Sequence, residues 1–134
     1  MADNPLIEQA TMCFVCGPDN PIGLHIEFTL QDDVCTASFT PTENHVGYSD
    51  TVHGGIIFSA LDDVMANMLY LKGIKAHTAR CEIRYRNALR TGQRIDLSSR
   101  IESERRRLIV MKGEARDAES GVLIADTTAS FMLE

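Results

Sequence analysis

The sequence predicts an α+β protein in which an antiparallel sheet wraps around one long central helix. Three observations carry this. Two strand-like runs lie before residue 41 and four more follow residue 77, with apolar and polar side chains alternating clearly in several of them. Between them, residues 54–71 (GGIIFSALDDVMANMLYL) do not alternate; their apolar positions recur at the helical period and cover most of the circumference. The order strand, strand, helix, four strands leaves a lone helix with only a sheet to lie across. With 134 residues, 44% hydrophobic and 24% charged, the chain is expected to be one domain spanning residues 1–134, large enough to bury a core without disulfide staples.

The elements follow in order. Residues 1–24 read as an N-terminal arm followed by a loop, CFVCGPDNPIG, dense in Gly, Pro, Asp and Asn. His25–Gln31 and Val34–Thr40 are expected as two strands joined by a tight turn at Asp32-Asp33. Residues 41–52 have turn chemistry and no period, so they form a loop. The helix over 54–71 is about 27 Å long and stops at Gly73. The runs Thr78–Asn87, Gln93–Glu104, Arg107–Asp117 and Val122–Leu133 then read as a four-stranded antiparallel meander. So apolar a helix needs cover beyond one sheet, which predicts a partner subunit.

Charge and composition narrow the function. The net charge of −6 argues against a nucleic-acid partner. No apolar run reaches the roughly 18 residues of a membrane span, and residues 1–12 lack the basic start and apolar core of a signal peptide, so a cytoplasmic location is expected. Nine arginines nevertheless gather in residues 80–107 against four acids. They are either outward-facing solubilising positions or a local site for an anionic group such as phosphate. Cys13 and Cys16 form one C-x-x-C, readable as a structural turn, a redox dithiol or half a metal site. The spacing offers no second ligand pair, so free thiols and no metal are expected.

The chemistry gathers at the helix entrance. His53-Gly54-Gly55 precedes the apolar stretch, and glycines there let a ligand approach backbone N–H groups that have no helical partner. Such a helix start stabilises an oxyanion. Deeper in the helix, Asp62 has Phe58, Met65 and Ala66 as neighbours, so its carboxylate projects from an apolar surface and is a candidate base or nucleophile. Asp63 aligns with Ser59 and Asn67 in an ordinary polar stripe.

VHGGIIFSALD, residues 52–62, resembles the H-G-G-x(6)-D signature of hotdog-fold thioesterases of the phenylacetyl-CoA thioesterase-like group. Residues 13–28 (CFVCGPDNPIGLHIEF) and 76–95 are similar to other parts of that family, and the resemblance spans roughly residues 12 to 133. It implies a hotdog fold and an acyl-CoA thioesterase acting on a small or medium acyl or aryl thioester. Asp62 would activate water or attack the thioester carbon, Gly55 would donate its N–H to the thioester oxygen, His53 would orient the substrate and Thr78 would hold the water. It also implies a homodimer, itself commonly paired into a homotetramer, with His53 and Gly55 from one subunit meeting Asp62 and Thr78 of the other. No metal or redox cofactor is needed.

One position departs from the pattern: relatives often carry Asn six residues before the His, and this chain has Gly47. Asn44, His45 or Ser49 are the substitutes at hand. Gly54 is expected to let substrate close to the helix entrance, and Arg90, Arg105 and Arg106 to meet the phosphates of coenzyme A. A non-enzymatic acyl-CoA-binding protein is the alternative, and the charge at Asp62 argues against it. A hydratase would need a second carboxylate opposite His53, and acyl carrier protein as the carrier would be repelled by most of this acidic chain.

Overall fold

The computed structural model describes residues 4–134. Six strands form one antiparallel sheet: β1 (Thr29–Gln31), β2 (Val34–Phe39), β3 (Ala76–Tyr85), β4 (Ile95–Arg105), β5 (Leu108–Asp117) and β6 (Leu123–Leu133). The one α-helix among the described residues, α1 (Gly54–Tyr70), lies across one face and touches every strand from β2 to β6. This is the sheet around one helix that the element order predicts, and the hotdog fold that the resemblance implies.

The strand order is β1-β2-β4-β5-β6-β3. The meander is therefore β4-β5-β6, and β3 departs from expectation: it pairs with β6 at the far edge rather than with β4. The connection from β3 into β4 crosses the sheet, and β3 is left with one edge unpaired by any described residue. The first strand is also shorter than its alternation suggests. His25 has φ +54, and the Leu24 and Ile26 N–H groups bond the Phe14 and Val15 carbonyls, so only Thr29–Gln31 reaches β2.

Local chemistry fixes the remaining boundaries. Asp32 and Asp33 both take positive φ, the geometry of a two-residue hairpin turn. At the end of α1, Gly73 (φ +75) donates to the Tyr70 carbonyl and Ile74 to the Leu69 carbonyl, the pair of bonds that closes a helix through a left-handed glycine. The β4–β5 turn falls at Arg106-Arg107, one residue later than expected, with Arg106 at φ +58.

The core is the apolar side of α1 against the sheet. Ala60, Leu61, Val64, Met65 and Met68 are fully buried among Leu97, Met111, Ala115, Ala129 and Phe131. Gly113 in β5 makes that contact close, since a Cβ there would stand 3.2 Å from the Met65 Cγ. The outward side of α1 is partly covered by the chain itself. Asn4 Nδ2 donates to the Tyr70 carbonyl, a single 3-10 turn at Ile7–Gln9 follows, and Leu6 and Val15 are buried. The expected arm thus docks on the C-terminal half of α1, while residues 1–3 of it lie outside the described residues. No helix among the described residues is long and apolar enough to cross a membrane.

Candidate active site

The loop before α1 is held from both sides. Val46 bridges Val52, Thr51 bridges Arg90, and the Val52 N–H bonds the Leu89 carbonyl. The chain then enters α1 through His53, whose extended backbone (φ −60, ψ 133) makes it the N-cap. Its Nδ1 accepts from the Gly55 N–H at 2.8 Å. That bond requires an unprotonated Nδ1, so a neutral ring carries its proton on Nε2. The Gly55 N–H, expected to face a thioester oxygen, is thus satisfied by the imidazole two residues back. The cause is general: the first helical N–H groups lack internal acceptors and take the nearest one.

Gly54 is a point of close approach, but to protein. Its carbonyl accepts from the Tyr85 hydroxyl at 2.8 Å, and a Cβ would stand 3.3 Å from the Tyr85 ring. Tyr85, at the end of β3, thereby borders the helix entrance, a role that strand alternation alone does not signal. The 43–45 turn flanks His53, because the His53 N–H bonds the His45 carbonyl. The Asn44 N–H is used within that turn, on Thr42 Oγ1, and Ser49 sits at φ +47 in the loop. Gly47 faces His53 directly: a Cβ there would meet its Cα and Cδ2 at 3.6 Å, ordinary contact that leaves room for a side chain.

Two turns further along α1, Asp62 accepts from the Thr78 hydroxyl at 2.8 Å on Oδ1. A register shift in the β3–β6 ladder falls between Thr78 and Arg80, the kind of bulge that re-aims a side chain. Burial raises the Asp62 pKa, and the Thr78 hydrogen bond partly opposes that rise by favouring the carboxylate. The Cys81 thiol nearby is pushed up to about 11 by burial and by the Asp62 charge. Asp62 lies seven positions after Gly55, about 10 Å along the helix.

Asp63 keeps the expected polar stripe at Asn67 alone and adds partners from outside the helix. It turns to the other side of α1, where Asn67 Nδ2 donates to its Oδ2 at 2.9 Å and the Cys13 Sγ lies 3.8 Å from both carboxylate oxygens. Ser59 does not join it and bonds the Gly55 carbonyl instead. Burial, then the Cys13 charge, raises the Asp63 pKa to about 7. Hydrogen bonds from Cys16 lower the Cys13 thiol to about 5, and Cys16 itself is raised. All four cysteines are free thiols. Cys13, Cys16 and Asp63 are the one group of three metal-ligating side chains that the described residues bring together. Sequence spacing missed the third member because it comes from α1, far along the chain.

The arginine-rich segment divides. Arg84, Arg86 and Arg100 line a hollow on the outer face of the sheet, with Arg86 paired to Asp126 at 3.1 Å. Arg90 is spent on Asp50 and Thr51, at 2.9 and 3.1 Å, and so braces the entrance loop. Arg107 bonds the Leu133 carbonyl. Arg105 and Arg106 project at the β4–β5 turn with no ion pair among the described residues. Thr78 faces Phe131, Phe131 faces Ile109, and Ile109 faces Glu104. The arginine turn therefore begins in the same row as Thr78, three strand spacings or about 14 Å away.

An antiparallel sheet around one buried helix, with a capped glycine entrance and a strand-held carboxylate on that helix, defines a hotdog-fold protein. The chain belongs to the thioesterase superfamily, whose family model matches residues 50–124. No curated protein matches. Among solved structures, a hypothetical thioesterase from Streptococcus pneumoniae TIGR4, determined with coenzyme A, is similar at TM-score 0.76 and 17% identity, over 81% of this chain and 85% of that one. The same protein was also solved as an Asp-to-Ala and as a Thr-to-Ala mutant, at positions sixteen residues apart. Thioesterase superfamily member 2 of zebra fish gives 0.80 and 17% over 96% of both chains. The Escherichia coli PaaI protein, from a phenylacetic acid degradation operon, gives 0.75 and 18% over 81% of this chain and 83% of that one.

Proposed function

We propose that the protein is an acyl-CoA thioesterase that hydrolyses a small or medium acyl or aryl thioester to the acid and free coenzyme A. The observation that carries this is the Asp62–Thr78 hydrogen bond, between residues sixteen apart. The mutated Asp and Thr of the Streptococcus pneumoniae thioesterase have the same spacing, and that protein was solved with coenzyme A.

In this reading Asp62, held by Thr78, takes a proton from the attacking water or attacks the thioester carbon itself. The oxyanion forms at the α1 entrance of a second copy, where the Gly55 N–H is freed as the His53 imidazole turns away. The carbonyl re-forms as the C–S bond breaks: on the base route the thiolate takes the proton that Asp62 removed from water, and on the nucleophile route water then hydrolyses the acyl-Asp62 anhydride, restoring the carboxylate and supplying the thiolate's proton. Two features support the shared site: the two-turn separation of Gly55 from Asp62, and the unpaired edge of β3, ten residues long and suited to pairing with another β3. Pairing of such dimers into a homotetramer belongs to the same proposal. Met65, Met68 and Leu69 lie in the core, and Phe58 on the same helix is partly accessible. Arg105 and Arg106 are the proposed phosphate contacts.

The test is release of free coenzyme A, measured by chromatography, from a panel of short, medium, long and aromatic acyl-CoAs. Wild type should turn over one class, and Asp62→Asn should lose about 100-fold or more. Binding of acyl-CoA with no hydrolysis anywhere in the panel would make the protein a binder and end the catalytic reading.

A further inference from the structure

We infer that Cys13, Cys16 and Asp63 form a zinc site that clamps the N-terminal loop to the middle of α1. The three ligand atoms lie within 4.8 Å of one another. The Cys13 sulfur stands 3.8 Å from each Asp63 oxygen. Tetrahedral zinc, with bonds of about 2.3 Å to sulfur and about 2.1 Å to oxygen, holds such a pair about 3.6 Å apart. That pair therefore needs to close by only a few tenths of an ångström, and the Cys16 sulfur lies within 4.8 Å of both.

The site is built rather than incidental. The Cys16 N–H points at the Cys13 sulfur at 3.4 Å, and the Gly17 N–H closes the turn on the Cys13 carbonyl at 2.8 Å. A Cβ on Gly17 would stand 2.4 Å from the Cys13 nitrogen, so only glycine permits this turn. Buried Val15, with its carbonyl bonded by Ile26, fixes the loop from the other side. Asn67 donates to Asp63 and lies 3.9 Å from the Cys16 sulfur, which orients both ligands.

Charge points the same way. Among the described residues no Lys, Arg or His forms an ion pair with Asp63. Two sulfurs and a carboxylate turned to one point suit a cation that takes the cysteines as thiolates and releases their protons, and two sulfurs select a thiophilic one. The fourth position opens on a cavity of about 230 Å³ bordered by Gln9, Tyr70 and His77, where water completes the tetrahedron. A metal here joins residue 13 to residue 63 and thus ties the arm to the helix that carries Asp62.

The experiment adds Zn²⁺, or Co²⁺ as its coloured stand-in, to the reduced, metal-free full-length protein. One metal per chain should bind, Co²⁺ should show sulfur-to-metal charge-transfer absorption, and Zn²⁺ should shield two of the four cysteines from a thiol reagent. Cys13→Ser, Cys16→Ser and Asp63→Asn should each weaken binding by more than the roughly 10–100-fold that loss of an outer-shell partner costs. Cys81→Ser should bind as wild type does. A cobalt complex without the sulfur band, equal binding by all variants, or a Cys13–Cys16 disulfide as the only stable state in the presence of Zn²⁺ would each overturn the site. None of these readouts depends on thioester hydrolysis.

Discussion

The Thr78 hydroxyl donates to Oδ1 of Asp62 at 2.8 Å, joining the edge strand to the second turn beyond the helix entrance. The bond favours the ionised carboxylate, whereas burial favours the neutral acid. Asp62 must be ionised to act, so activity is lost as pH falls through its raised pKa. Removing the hydroxyl deletes the one group that lowers that pKa. In Thr78→Val the acid limb of kcat/KM against pH should therefore move to higher pH, with a loss of roughly tenfold or more at neutrality. An unmoved limb would mean that Thr78 does not tune Asp62.

Stability should change in the opposite direction. For an aspartate whose folded pKa lies above its unfolded one, the folded state binds the proton more tightly. Its stabilising contribution is present at low pH and is lost as pH rises from the unfolded value through the folded one. Asp62→Asn should then raise the melting temperature at pH 7 and lose that advantage at acid pH. A variant equally destabilised at both would show that the carboxylate is structural.

Arg105 and Arg106 offer guanidinium groups at the β4–β5 turn, whereas Arg90 is committed to Asp50. Replacing both with Ala should raise KM for an acyl-CoA severalfold at low salt, less at high salt, and leave kcat alone. A thioester of the same acyl group on a short thiol without phosphates should show no change. An equal rise for both substrates would point to altered packing of the turn.

Much of the fold is legible in the sequence. Alternation located the strands, and Gly73 and Asp32-Asp33 marked turns, because these signals are local and each rests on one backbone conformation. The place of β3 was not legible, since pairing with β6 rather than β4 is decided by how the sheet closes around α1. At the site, Asp62 stood out as a carboxylate on an apolar face and Thr78 came from the resemblance. Helical neighbours give Asp63 its Asn67 partner, but not Cys13, which comes from fifty residues earlier in the chain. The His53 cap on Gly55 was missed because which acceptor takes a free helical N–H depends on the rotamer.

The shared site is tested most directly by mixing two defective chains. Asp62→Asn removes the carboxylate, and Gly55→Pro removes the N–H within the first helical turn, where proline is tolerated. Each alone should be nearly inactive. Co-refolded in equal amounts, half the dimers are mixed and one of the two sites in each is intact, so activity should recover to about a quarter of wild type. A mixture as inactive as its components would contradict a site built from the helix entrance of one chain and Asp62 of the other.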